Sequence, residues 1–75
     1  MNALTFGEKI RQLREGLDLS LREVASKIGV SAAFLSDVEL GRRFPSADRL
    51  AALAKELGVS AEDLQKYDFR DEAES

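Results

Sequence analysis

Apolar residues recur along the chain at intervals of three and four, the period of a helix that buries one face. Phe6, Ile10, Leu13 and Leu17 form one stripe, Val24, Ala25 and Ile28 a second, and Leu35 and Val38 a third. Leu50, Leu53, Ala54 and Leu57 form a fourth. β-Branched residues are few and never alternate with polar ones, so no strand is predicted. Capping residues frame the stripes. Thr5-Phe6-Gly7-Glu8 and Ser20-Leu21-Arg22-Glu23 read as capping boxes, in which hydroxyl and carboxylate each accept a backbone N–H that a first helical turn leaves unpaired. Ser31, Ser46 and Ser60 precede the later apolar segments as N-caps. Gly16, Gly29, Gly41 and Gly58 stand where left-handed residues end helices, and Pro45 disfavours helix at Phe44. The predicted helices are 6–15, 21–28, 32–40, 47–57 and 61–67. The expected class is therefore all-α: five helices too short to be stable alone, closing on one shared core.

A chain of 75 residues suffices for one small domain. We expect it to occupy residues 1–67, with 68–75 as an acidic C-terminal tail. The absence of cysteine and histidine excludes disulfide staples, Cys/His zinc sites, thiol nucleophiles and imidazole bases. Stability must then come from capping and packing, or from a second subunit. No phosphate loop or metal-ligand cluster appears, and no cofactor is expected. The carboxylate pairs Glu62-Asp63 and Asp71-Glu72 fall on a helix start and the tail, without a cleft to raise a pKa, so no enzyme is expected. Apolar runs are only a few residues long, which predicts no membrane span. Met1-Asn2-Ala3-Leu4 has neither the basic region nor the apolar stretch of a signal peptide, and a cytoplasmic protein is expected.

The net charge of −3 at first argues against a nucleic-acid partner. Its distribution changes that reading. Residues 62–75 carry six acids against two bases, leaving nine bases against eight acids in residues 1–61. The body is near neutral, so modest rather than absent non-specific DNA affinity is expected.

Within residues 21–40, Ala25 is small where one helix must approach the next, and Gly29 can take the positive φ of a tight turn. Val24, Ile28, Val30, Leu35 and Val38 are apolar where two helices would lock at a steep angle. These features are the residue grammar of a helix-turn-helix, with an αα-hairpin in an arbitrary bundle as the alternative. The wider pattern separates the two. Leu19-Ser20-Leu21-Arg22-Glu23-Val24-Ala25, then Gly29-Val30-Ser31, then the run from Phe34 through Gly41 to Ser46 resembles the Cro/cI-type (XRE-like) family of phage and bacterial repressors. The likeness continues through Leu50, Leu53-Ala54 and Leu57-Gly58-Val59-Ser60 to Leu64, covering roughly residues 5–66. It implies a compact five-helix, lambda-repressor-like domain with its third helix in the major groove of double-stranded DNA.

By helical geometry the outward positions of that helix are Ser31, Ala32, Ala33, Ser36 and Asp37. The resemblance places them against base edges and flanking phosphates. Asp37 is read as an acceptor for a cytosine N4, against capping or pairing with a neighbouring arginine. Arg42 and Arg43 fall in the loop that runs beside the DNA backbone in the family, making them phosphate-contact candidates, against the alternative of solvated loop residues. Arg22 is a further candidate of that kind. Arg14 and Glu39 align with a pair that forms an internal salt bridge in relatives, and are assigned to structure. Lys9, Arg11, Lys27, Arg49 and Lys55 are read as solvated faces. One departure matters: many members carry Gln where this chain has Leu21, Ala32 and Ala33, so bidentate Gln–adenine readout is lost there. Specificity then falls to few contacts plus DNA shape, or to a protein partner.

The family usually binds palindromic operators as homodimers, and Leu64, Tyr67 and Phe69 are the candidate dimer residues, with core capping the alternative for Leu64. The leading function is a transcriptional regulator, most simply a repressor. A protein-interaction module of the same fold, antitoxin-like or anti-repressor, is the second reading, motivated by the acidity and by Ala32/Ala33. A longer protein continuing past Ser75 fits either.

Overall fold

The computed structural model describes residues 4–66. The order is α1 (Phe6–Gly16), α2 (Leu21–Ile28), α3 (Ala32–Glu39), α4 (Ala47–Leu57) and α5 (Ala61–Gln65). Every N-cap expected from the sequence is formed. Glu8 N and Glu23 N donate to the Thr5 and Ser20 hydroxyls at 3.1 and 3.0 Å, and the two carboxylates reciprocate on the cap N–H groups at 3.0 and 2.7 Å. Ser31, Ser46 and Ser60 accept from the backbone N–H groups of Phe34, Arg49 and Asp63.

Helix ends follow the expectation at three of four places. Gly29, Gly41 and Gly58 have φ between 77° and 82°, a left-handed region where a Cβ is penalised. Gly16 does not. It is the last residue of α1, and Asp18 takes the positive φ, 59°, instead. Aspartate tolerates this conformation better than most side chains. The extended turn returns Leu19 N–H to the Arg14 carbonyl at 3.1 Å and sets the Leu19 carbonyl over the Arg14 guanidinium at 2.9 Å. The same extension turns Leu17 outward, 51% exposed, so it is not part of the first stripe's buried face.

The core gathers Phe6 and Ile10 of α1, Val24 and Ala25 of α2, Leu35 and Val38 of α3, Leu50, Leu53, Ala54 and Leu57 of α4, and Leu64 of α5. All four stripes and the last helix thus share one apolar interior, as short helices require. Helix α3 packs on both α1 and α2, which fixes its orientation from two sides. Gly7 makes the α1 approach possible: a Cβ there would overlap the carbonyl oxygens of Val38 and Glu39. Among the described residues no helix is long and apolar enough to cross a membrane.

Leu64 is 1% exposed and belongs to this core. It cannot offer side-chain area to a second subunit, and its expected interface role gives way to core capping. Tyr67, Phe69 and the proposed tail 68–75 lie outside the described residues.

Candidate nucleic-acid interface

Two buried residues decide which way α3 faces. Leu35 and Val38 point into the core, leaving Ser31 and Ala33 exposed and Ser36 and Asp37 half-buried on the outer side. Ala32 departs from its expected outward position: it packs against the core edge and is partly buried. The Ser31 oxygen is occupied as a cap, accepting from Phe34 N–H at 3.0 Å. Its hydroxyl proton remains available to a phosphate or base acceptor.

The inner side of α3 is tied to α1 by charge. Arg14 Nε and Nη2 donate to the two Glu39 carboxylate oxygens at 2.7 and 3.1 Å, with only 12% and 8% of the side chains exposed. The fork-to-fork geometry is the strongest form such a pair takes. The bond to Glu39 raises the Arg14 pKa, opposed by partial burial and reinforced by the Glu39 charge. The structural role expected for this pair is what the geometry shows.

The loop arginines return to α3. Gly41, at φ 82°, reverses the chain, and Arg42 N–H donates back to the Asp37 carbonyl at 2.8 Å. Both guanidinium groups thereby reach the Asp37 carboxylate. Arg43 Nε donates to Oδ2 at 3.2 Å, and Arg42 Nη1 lies 3.8 Å from Oδ1. The Arg43 guanidinium also lies 6.0 Å from the Phe34 ring centroid, at the outer limit of a cation–π contact. In the free chain the Asp37 carboxylate pairs with the loop arginines, as one of its readings has it. Arg42 and Arg43 are therefore neither simply solvated nor unrestrained, yet both are well exposed and outnumber the one carboxylate.

Arg22 is exposed on the first turn of α2 and makes no ion pair or hydrogen bond through its side chain among the described residues. Arg49 was assigned to a solvated face by its sequence position. It lines a shallow recess with Gly29, Val30, Ser31 and Phe34, beside the N-terminus of α3. Only the packing of α4 on α2 reveals this, since nothing in the local pattern distinguishes Arg49 from Lys55.

A protein-family model described as helix-turn-helix matches residues 10–64, the span containing the turn, α3 and the arginine loop. The chain belongs to the Cro/cI-type (XRE-like) helix-turn-helix family. An uncharacterized HTH-type transcriptional regulator of Mycobacterium tuberculosis is 52% identical over 56 residues, 75% of this chain and 40% of that protein. The control protein C.BamHI of Bacillus amyloliquefaciens is 36% identical over 65 residues, 85% of this chain and 80% of its own. The P22 c2 repressor, solved in complex with a synthetic operator, superposes with a TM-score of 0.79 at 31% identity, covering 83% of this chain and 94% of the repressor chain. The chain thus spans about two fifths of the mycobacterial regulator it matches, and most of the small repressor domain. Fold and family are those of DNA-binding transcriptional regulators.

Proposed function

We propose that this chain is the operator-reading module of a transcriptional repressor, binding a palindromic duplex site as a homodimer. One observation carries the reading: α3 is locked from two sides with a short polar face outward, and its C-terminal loop places Arg42 and Arg43 beside that face. In this reading Ser31, Ala33 and Ser36 meet the major groove, and Ala32 contributes at its margin. Arg42, Arg43, Arg22 and Arg49 meet phosphates. The likeness to a repressor solved on its operator supports the groove assignment. With no long polar side chain on the early part of α3, base readout is sparse, so sequence-dependent DNA shape supplies much of the discrimination. A dimer is required because one such module covers too little DNA for operator-level affinity.

Selection of bound sites from a random duplex pool tests the proposal. An enriched inverted repeat, with half-sites about one helical turn apart, is the expected result. Recovery of no preferred sequence would sink it. Arg42→Ala with Arg43→Ala should weaken binding and flatten the salt dependence by roughly one to two in log–log slope.

The second reading is a protein-interaction module on the same scaffold. It is favoured by Ala32 and Ala33, which remove long readout side chains, and by the overall acidity. A related fold has been solved as a SinR protein/SinI protein complex. Stoichiometric capture of a protein that survives the double arginine change would support this reading over the first.

A further inference from the structure

The arginine loop and α3 share one carboxylate, and this has a consequence for how the interface meets DNA. Asp37 lies on the half-buried outer side of α3 with both Arg42 and Arg43 turned onto it, at 3.8 and 3.2 Å. A carboxylate offers these guanidinium groups the same planar pair of oxygen acceptors that a phosphate does. It is supplied by the protein itself, at the edge of the face that would approach the duplex. We propose that Asp37 is an internal stand-in for phosphate: it engages the arginine pair in the free protein and must be exchanged for backbone phosphate when DNA binds. Asp37 is thus a positioning residue that suppresses phosphate-driven, non-specific binding, and the inference rests on the DNA-binding reading above.

The physical case has three parts. The pairs are exposed at their arginine ends, 71% and 61%, so they are weak enough to exchange. Gly41 and the Arg42 N–H to Asp37 carbonyl bond hold the loop backbone against α3, so the side chains can swing without the loop leaving the interface. Finally, phosphate contacts carry no sequence information. A device that lowers their yield taxes every sequence equally and leaves base and shape readout to decide where the module stays. In a chain whose readout side chains are short, that restraint lowers occupancy everywhere, so that only sites adding base and shape readout stay filled.

The test measures duplex affinity by fluorescence anisotropy across a salt series. It uses the full chain, a mixed-sequence duplex and the site recovered by selection. Wild type, Asp37→Asn, Arg42→Ala/Arg43→Ala and the triple change are compared. Asparagine keeps size and shape while removing the charge. Asp37→Asn is expected to tighten mixed-sequence binding by about three- to tenfold and to steepen the salt slope by about 0.9, one additional phosphate neutralised. The gain on the selected site should be of similar size, since the exchange costs every sequence alike, and the affinity ratio should stay unchanged. In the background lacking both arginines the gain should vanish. A merely structural role for Asp37 would leave the salt slope unmoved. Unchanged or weaker mixed-sequence binding by Asp37→Asn, with wild type still binding its site, overturns the proposal and leaves the DNA reading standing. Persistence of the full gain without the arginines also overturns it, since simple repulsion between Asp37 and DNA would then explain the effect. Failure of every variant to bind any duplex at low salt removes the DNA reading and this inference together.

Discussion

Two carboxylates two residues apart on α3 meet arginines and do different work. Glu39 faces inward and takes a bidentate grip from Arg14 at 2.7 and 3.1 Å, with the Leu19 carbonyl completing the guanidinium's partners. Asp37 faces outward and takes two looser, exposed contacts from Arg42 and Arg43. The chemistry is shared; the surroundings are not. Around Glu39 water is largely excluded, so losing either partner strands a charge that nothing else can solvate. At the exposed arginine ends of the Asp37 pairs water competes for the contacts, so they hold little free energy and can be traded. The inner pair sets where α3 stands, and the outer cluster sets what its flank presents.

The largest effect should come from breaking the inner pair. Glu39→Ala or Arg14→Ala is expected to lower stability by about 2–4 kcal/mol, somewhat under the range for a wholly buried pair because neither side chain is fully covered. Urea denaturation measures it, and a domain this small should also melt on the order of 10–20 °C lower. Replacing both together, Arg14→Met with Glu39→Leu, should cost less than either single change, since no charge is stranded. Singles costing under about 0.5 kcal/mol would erase the contrast between the two sites.

Next comes Gly7, which seats α1 on the carbonyls of Val38 and Glu39. In an ordinary helix Gly→Ala stabilises by about 1 kcal/mol. Here the new methyl would strike backbone that cannot move without shifting the inner pair, so Gly7→Ala is expected to destabilise by about 1–3 kcal/mol. Gly16→Ala is the control. It ends the same helix with no positive φ and open space around its Cβ position, and should stabilise by up to about 0.5–1 kcal/mol. Two glycines on one helix should therefore give opposite signs in the same denaturation experiment.

These glycines also show what the sequence could and could not reveal. All five N-caps, and the inward set from Phe6 to Leu57 with Leu17 excepted, are legible because capping and helical period are local rules; Leu64, expected at an interface, is not. Gly16 fits the local rule for a left-handed terminator, yet the positive φ falls at Asp18, where the chain brings the Leu19 carbonyl onto the guanidinium of Arg14, itself held by Glu39. Gly7 lay inside a capping box, and nothing nearby told of the α3 backbone pressed against it. Of the candidate site, the direction of α3 could be read from Leu35 and Val38. Pairing of Asp37 with an arginine, and the reversal at Gly41, could be read locally; the convergence of both arginines on one carboxylate, and Arg49 beside the start of α3, depend on the folded path of the chain.

A third carboxylate sharpens the comparison by separating burial from geometry. Glu23 is fully exposed, yet its pKa is lowered, first by the backbone N–H of Ser20 and then by the Ser20 hydroxyl. A fixed backbone donor stabilises the charged form without ordering a second side chain. The folded-state pKa lies below the unfolded value, so the stabilisation is complete above ordinary glutamate pKa values and is lost as pH falls through the depressed one. Carboxylate NMR titration should find Glu23 titrating below the usual glutamate range. Glu23→Gln should remove part of the acid-side fall in stability. A normal titration curve would show that the capping box is not held in solution.

The smallest expected effect is the most diagnostic. Asp37→Asn, Arg42→Ala and Arg43→Ala should each change stability by no more than about 0.5 kcal/mol, because exposed pairs contribute little and the loop is held by its backbone. The Asp37 carbonyl, not its carboxylate, receives the Arg42 N–H, and Gly41 supplies the reversal whatever the side chains do. Stability and DNA affinity should therefore separate cleanly at these three positions, whereas at Glu39 they should fall together as α3 loses its seat. If Asp37→Asn instead costs more than about 1 kcal/mol in urea denaturation, the outer cluster is part of the scaffold. Its arginines would then be held too firmly to exchange one anion for another.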